Sequence, residues 1–165
     1  VVDVCSVKTL PVRWMREILP STVRILATHP LFGPDTAGDS LRGHHVVLSP
    51  VRVPQALLRK IVARMRAAGL HCTTMTPAAH DTFIAETLVL AQFVGRVVAR
   101  TPVRRYSFST RSYSYLMKLA QIADNDTREL FQDMVKFNPY AMPVLRKFLR
   151  AQAGILRELR VARHP

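Results

Sequence analysis

The pattern of apolar residues changes at Thr76-Pro77, and this change divides the chain into two parts of different construction. Before it, short apolar runs of strand length alternate with helical patterns, whereas after it only helical patterns occur. A threonine followed by a proline is typical of a helix start, because threonine caps free N–H groups and proline fits the first helical position. We therefore predict an α/β part over residues 1–76 and an all-helical part over residues 77–165.

The first part is predicted to have the order β-α-β-β-α-β, which is a portion of an open α/β domain. The predicted strands cover residues 1–4, 23–28, 45–48 and 71–75, and the predicted helices cover residues 11–19 and 54–68. Residues 31–44 show no periodicity and are predicted to form a long loop, and loops of that length inside compact domains are often functional.

The second part is predicted to begin with a helix over about residues 77–100 that is apolar on most faces. Such a helix is usually buried, often by a second subunit, so we expect a homodimer. Glu86, Gln92 and Arg96 interrupt its most apolar stretch, residues 83–99, and we interpret that stretch as too short and too polar to span a bilayer. Further helices are predicted over residues 111–123, 126–137 and 139–162.

The formal net charge of +13 raises the question of a nucleic-acid partner. The basic residues are scattered over every segment, and they do not interleave with aromatic residues as in a single-strand binding platform. We interpret them as a solvated surface and regard nucleic acid as an unexpected partner. A basic helical nucleic-acid-binding or non-catalytic dimerisation module is the alternative, and generic DNA binding with a steep salt dependence would identify it.

Cys5 and Cys72 have no cysteine or histidine at metal-ligand spacing, so we predict buried free thiols and no metal site. Free thiols are typical of a reducing compartment, so a cytoplasmic location is expected, or a plastid in a photosynthetic eukaryote. No signal peptide is recognisable, and the chain opens on Val1 within a predicted strand. We take this opening as the sign of a fragment.

Three groups of residues could carry chemistry. Ser6 follows the first predicted strand, at the end where open α/β sheets bind their ligands, although a hydroxyl there is often a helix cap. His29 lies in the proline-stiffened run Ala27-Thr28-His29-Pro30-Leu31-Phe32-Gly33-Pro34; it is either a structural loop histidine or a fixed proton acceptor. His80 and Asp81 fall in the first turn of the long helix, where an acidic residue also suits the helix dipole.

In this order, these motifs resemble the prephenate/arogenate dehydrogenases of tyrosine biosynthesis. The resemblance is carried by Asp3-Val4-Cys5-Ser6-Val7-Lys8, Thr28-His29-Pro30-Leu31-Phe32-Gly33-Pro34, His80-Asp81 and Leu130-Phe131-Gln132-Asp133-Met134 with Asn138. The first two motifs are closer to the arogenate branch. The resemblance implies a fold made of the last strands of a Rossmann domain followed by a helical dimerisation domain. No G-x-G-x-x-G occurs in the sequence, so we expect this chain alone to be inactive and not to bind NAD(P)+.

The family resemblance also implies a reaction and roles for residues. Arogenate or prephenate is oxidised with NAD or NADP, with loss of the ring carboxylate; His29 would accept the hydroxyl proton, and Ser6 would bond to that hydroxyl or to His29. Ser6 and Pro30 would lie near the cofactor, and His80 would line the substrate pocket. Prephenate-specific members carry an arginine where this chain has Gln121. The substrate-binding candidates are therefore His80, Asp81, Gln121, Arg111, Lys118 and Arg96, with Asp81 predicted to favour the ammonium group of arogenate.

Overall fold

The computed structural model describes residues 1–33, 37–102, 104 and 106–162, so Pro34 of the histidine run lies outside the described residues. The chain forms two compact units, Val1–Thr82 and residues 83–165. The division falls inside the helix that begins at Pro77, whereas the sequence places it before that helix. The physical reason is that His80 and Asp81 hydrogen-bond to residues of the first unit.

The first unit contains a four-stranded sheet and two helices, in the predicted order β-α-β-β-α-β. Its elements are β1 (Val2–Asp3), α1 (Thr9–Ile18), β2 (Ile25–Pro30), β3 (His45–Arg52), α2 (Gln55–Ala67) and β4 (His71–Thr74). The strands lie side by side in chain order. β1 is parallel to β2, β2 is antiparallel to β3, and β3 is parallel to β4. The carboxyl ends of β1 and β2 therefore meet at one edge of the sheet.

The apolar core of this unit lies between the sheet and α2. Leu26, Val46, Leu48 and Leu58 are buried in it, and burial of each such side chain contributes about 1.5 to 3 kcal/mol. β2 is a central strand whose first five residues are all buried, including the polar Thr28 and His29. Because buried polar groups need hydrogen-bond partners, Thr28 and His29 require polar neighbours at this edge of the sheet.

The helical patterns predicted after residue 76 are present as helices. They are α3 (Pro77–Ile84), a π-helical turn (Ala85–Val89), α4 (Leu90–Arg100), α5 (Arg111–Asn125), α6 (Arg128–Phe137) and α7 (Ala141–Val161). The π turn interrupts what the sequence predicts as one regular helix. The core of the second unit contains the buried side chains Ile84, Val89, Met134, Ala141 and Leu145.

The stretch Pro77–Arg100 is long and apolar enough to cross a membrane by length and composition alone. Our expectation that residues 83–99 are too short and too polar for a bilayer therefore does not hold on that criterion. Core helices of soluble proteins satisfy the same criterion, and here Ile84 and Val89 pack against Met134 and Leu145. That the chain has no membrane partner stays a prediction.

Helices α4 and α5 approach each other closely at Gly95. A Cβ atom at this position would lie 2.6 Å from the Ala123 Cβ and 2.7 Å from the Leu119 carbonyl oxygen. We therefore expect Gly95→Ala to lower the free energy of unfolding by about 1 to 3 kcal/mol, the usual cost of overpacking, as measured by urea denaturation. Gly154→Ala is the matched control, because only the Arg157 guanidinium comes within 4.0 Å of its added Cβ. Equal stability of the two variants would contradict this packing.

Candidate active site

Two histidines from separate segments are in direct contact at the edge of the sheet. His29 is the next-to-last residue of β2, and His80 lies in α3. The His29 Nδ1 and the His80 Nε2 are 2.9 Å apart, and both rings are buried. The two rings meet edge to face, with their centroids 5.1 Å apart. A ring-to-ring hydrogen bond therefore fixes the orientation of His29.

Asp81 anchors this histidine pair to the start of α1. Its Oδ1 accepts hydrogen bonds from the backbone N–H of Lys8 (2.7 Å) and from the His80 Nδ1 (2.8 Å). Its Oδ2 accepts a hydrogen bond from the backbone N–H of Thr9 (2.8 Å). A carboxylate at a helix N-terminus satisfies free N–H groups and is stabilised by the helix dipole. Asp81 therefore caps a helix that begins 72 residues earlier in the chain.

A second charged pair, which the sequence analysis does not identify, lies beside this site. The Lys8 side chain is fully buried, and its Nζ donates to the Asp3 carboxylate. The same carboxylate accepts the backbone N–H of Cys5 at 3.0 Å, and the Thr28 hydroxyl donates to the Asp3 carbonyl oxygen at 2.6 Å. The Thr28 hydrogen bond ties the carboxyl end of β1 to β2, and the ion pair holds the segment that follows β1 against Asp3. The available sequence signal is a lysine four residues after the predicted strand 1–4, with an aspartate five positions before it.

The surroundings of His29 keep its imidazole neutral at pH 7. Burial, then the nearby His80 and Lys8, lowers the pKa of His29 to about 3, and Asp81 acts in the opposite direction. Burial alone would raise the pKa of the Asp81 carboxyl, but hydrogen bonds from His80, Thr9 and Lys8 outweigh it and the pKa lies below its usual value. The site therefore pairs a carboxylate with a neutral ring that retains a lone pair.

Ser6 and Pro30 lie close to this site in the chain and at the same edge of the sheet. Ser6 comes three residues after the end of β1 and is half-buried, whereas Pro30 is the last residue of β2. Within the described residues, the Ser6 hydroxyl makes no hydrogen bond to His29 or His80. Ser6 and His29 thus lie at the same edge of the sheet, but in the described part of the chain they are not hydrogen-bonded to each other.

Each of the two units contains a segment that matches a known family model. Residues 1–71 match the family model described as prephenate dehydrogenase, nucleotide-binding domain. Residues 97–164 match the model described as TYRAAT1-like, C-terminal domain. The chain is 30% identical over 163 residues to arogenate dehydrogenase 2, chloroplastic, from Arabidopsis thaliana, covering 96% of this chain and 46% of that protein. The chain is therefore similar to the prephenate/arogenate dehydrogenases along nearly its whole length.

A further curated protein and two solved structures are also similar to the chain. A probable arogenate/prephenate dehydrogenase of Methanocaldococcus jannaschii is 23% identical over 156 residues, covering 89% of this chain and 34% of that protein. The structure of Synechocystis arogenate dehydrogenase has the same fold, with a TM-score of 0.73 at 16% identity, and the match covers 99% of this chain and 63% of that one. The Aquifex aeolicus prephenate dehydrogenase solved with hydroxyphenyl propionate and NAD+ also gives a TM-score of 0.73, at 20% identity, covering 99% of this chain and 60% of that one. The chain spans less than half the length of these curated relatives.

The remaining predicted substrate-binding residues, Gln121, Lys118, Arg111 and Arg96, lie in the helical unit. Gln121 and Lys118 are exposed on α5 and line a cavity of about 440 Å³ together with Tyr106 and Tyr113. Gln121 also lines a smaller cavity of about 230 Å³ between α4 and α5. Arg111 is exposed at the start of α5. Lys118 and Gln121 therefore share one cavity.

Arg96, a predicted substrate-binding residue, has hydrogen-bond and ring partners within the helical unit. Its guanidinium donates to the carbonyl oxygens of Asp126 (2.7 Å) and Thr127 (3.1 Å), and it lies over the Phe131 ring, 5.1 Å from the centroid. These contacts join α4 to the connection between α5 and α6. Asp81 likewise has both carboxylate oxygens engaged by the protein and is fully buried, so it does not offer the predicted contact to a substrate ammonium.

The pH dependence of the unfolding free energy should report the buried environment of His29. Between pH 6.5 and about 3 the unfolded chain binds a proton at His29 that the folded chain excludes. Stability therefore falls as the pH drops through this window, by at most about 1.4 kcal/mol per pH unit from this group. We expect His29→Gln to flatten the pH dependence of the unfolding free energy, and His45→Gln, at an exposed position, to leave it unchanged. An unaltered slope in His29→Gln would contradict the burial of a neutral ring.

Proposed function

We propose that the protein containing this chain catalyses the oxidative decarboxylation of arogenate or prephenate with NAD(P)+. The observation that carries the proposal is His29, a neutral buried imidazole whose Nδ1 is held by His80 at 2.9 Å. The similarity to arogenate and prephenate dehydrogenases supports this reaction class. A fixed ring with a free nitrogen is what abstraction of a hydroxyl proton requires.

In this reaction His29 accepts the proton of the substrate ring hydroxyl as that carbon is oxidised. Loss of the ring carboxylate as carbon dioxide then produces an aromatic ring. Ser6 lies at the same edge of the sheet, and its half-buried hydroxyl is suited to hydrogen-bond the reacting oxygen. The electrostatic task of the protein is to hold a neutral base beside the reacting hydroxyl.

The carboxyl edge of β1 and β2 is where an open α/β sheet binds a nucleotide. When bound, NAD(P)+ supplies the hydride acceptor. The polar residues at this edge, Ser6 and His29, fit the nicotinamide end, and Pro30 stiffens the backbone beside them. The first N–H groups of α1 are already bonded to Asp81, so α1 does not offer its N-terminus to a phosphate.

For the substrate carboxylate, the exposed cations Arg111 and Lys118 and the amide of Gln121 are the proposed partners. Lys118 and Gln121 line the same cavity, and a carboxylate there would gain charge-assisted hydrogen bonds. We retain both arogenate and prephenate as substrates, because Asp81 is buried and does not select between an ammonium and a keto group.

We further propose that the protein is a homodimer formed through the helical unit, in a reducing compartment such as the cytoplasm or a plastid. Helix α7 exposes several large apolar side chains, and exposed apolar surface is typical of protein interfaces. They are Leu149, Ile155, Leu156, Leu159 and Val161. Cys5 is exposed and Cys72 is half-buried, so the prediction that both thiols are buried is wrong. Both thiols are free, which fits such a compartment.

The activity is tested on the complete gene product that contains this chain. Purified protein is assayed for formation of reduced cofactor with arogenate and with prephenate, each in the presence of NAD+ and of NADP+. We expect turnover with at least one substrate and one cofactor. Absence of turnover in all four combinations, from protein that is folded by circular dichroism, would overturn the proposal.

A further inference from the structure

We propose that Asp81 and His80 fix the tautomer of His29 so that Nε2 is its basic atom, and that His80 receives the Nδ1 proton when His29 takes up a proton. Asp81 and His80 are thus positioning residues that act through His29. The first step, in which Asp81 and His80 fix the tautomer of His29, concerns the protein without substrate. The second step, the transfer of the Nδ1 proton to His80, rests on the proposed dehydrogenase function, because it needs a substrate hydroxyl as proton donor.

The direction of the hydrogen bonds follows from which atoms can donate. The Asp81 carboxylate only accepts, so the His80 Nδ1 at 2.8 Å carries a proton. In a neutral His80 the Nε2 then holds a lone pair and accepts from the His29 Nδ1 at 2.9 Å. The proton of a neutral His29 is thereby placed on Nδ1, which leaves Nε2 with a free lone pair.

Backbone hydrogen bonds hold the Asp81 carboxylate in place, and this fixes the orientation of the His80 and His29 rings. Its two oxygens accept the backbone N–H groups of Lys8 and Thr9, at 2.7 and 2.8 Å, at the start of α1. The carboxylate cannot rotate without leaving these two donors unsatisfied in a fully buried place. The start of α1 thus fixes the Asp81 carboxylate, which orients the His80 ring, and His80 in turn orients the His29 ring.

The surroundings of His29 disfavour a positive charge on its ring, and a proton relay avoids leaving that charge there. The ring is only 6% exposed and has Lys8 nearby, whose charge is paired with Asp3. When the substrate O–H breaks and an N–H forms at His29 Nε2, the Nδ1–H of His29 breaks and an N–H forms at His80 Nε2. No electrons are gained or lost in this double transfer. The positive charge then lies on His80, in direct hydrogen-bond contact with the Asp81 carboxylate, where it is stabilised.

The tautomer is tested without substrate by NMR of ring nitrogens in the purified protein labelled with 15N-histidine. At neutral pH we expect His29 and His80 each to carry a proton on Nδ1 and a bare Nε2. In Asp81→Asn the Nδ1 preference of His29 should weaken to a mixture, whereas exposed His45→Asn should leave both rings unchanged. A His29 protonated on Nε2 with a bare Nδ1, or one unaffected by Asp81→Asn, would overturn the first step.

The relay is tested with His80→Gln in the active protein. A glutamine carbonyl still accepts from the His29 Nδ1 and preserves the tautomer, but it does not take up the proton. We expect an unchanged His29 ring spectrum, kcat lower by about tenfold or more with KM little altered, and a proton inventory in mixed H2O and D2O that changes from curved to linear. A proton inventory that stays curved in the variant would overturn the relay. If the wild-type protein proves folded but inactive, the proposed function fails while the ring spectra still decide the tautomer.

Discussion

Replacing His29 with asparagine is expected to reduce kcat by about two to four orders of magnitude, the usual contribution of a general base. The asparagine amide can still donate to the His80 Nε2 in place of the His29 Nδ1, so the hydrogen bond that anchors this position is retained. What is lost is the lone pair on the second ring nitrogen. Affinity for the cofactor and KM should change little, because the removed group acts on the reacting proton.

The measurement is steady-state kinetics of the complete protein with the better of its two substrates. His45→Asn is the matched control, since His45 starts the neighbouring strand β3 and its side chain is exposed. Both variants should retain the wild-type circular dichroism spectrum. Similar turnover in the two variants would show that His29 is not the base, and the site would then have to be sought elsewhere on the fold.

The sequence predicts the order of elements well because strands and helices bury apolar residues with different periods. The alternation before Thr76 and the helical patterns after it are both present in the structure. His29 is identifiable for a related reason, since it follows the predicted apolar strand 23–28 and precedes a proline; in the structure it is the next-to-last residue of β2. These are local features, and a local pattern is enough to predict them.

The partners of Asp81 are not local, and this is why the sequence does not predict its hydrogen bonds to the start of α1. Within its own helix it reads as an acidic residue favoured by the helix dipole, or as a ligand for a substrate ammonium. Its actual donors, the N–H groups of Lys8 and Thr9, are 73 and 72 residues away in the chain. They become neighbours only because β1 pairs with β2 and brings the start of α1 beside His80.

The burial of Lys8 is likewise not predicted from the sequence. The scattered basic residues indicate a solvated surface, but the Lys8 side chain is fully buried against Asp3. Composition describes the average environment of a residue type and does not identify the exception. Buried charges are tolerated when they are paired, so the aspartate five positions earlier was the relevant signal.

Asp81→Ala is expected to produce a large loss of stability. The substitution leaves three buried donors without their acceptor: the N–H groups of Lys8 and Thr9 and the Nδ1–H of His80. Breaking a buried charged network by removing one partner costs on the order of 3 to 5 kcal/mol. The start of α1 and the orientation of His80 should both be affected, because one carboxylate supports them.

Urea denaturation of the wild type, Asp81→Ala and Asp81→Asn measures this contribution. Asparagine retains one carbonyl oxygen but presents an amide N–H2 to a donor, so we expect a loss between those of alanine and the wild type. Glu86→Ala is the control, since it removes an exposed acid from the adjacent helical turn and should change the unfolding free energy by no more than about 0.5 kcal/mol. If Asp81→Ala is as stable as this control, the carboxylate does not hold the two segments together. The support proposed for His29 would then have to come from the ring of His80 alone.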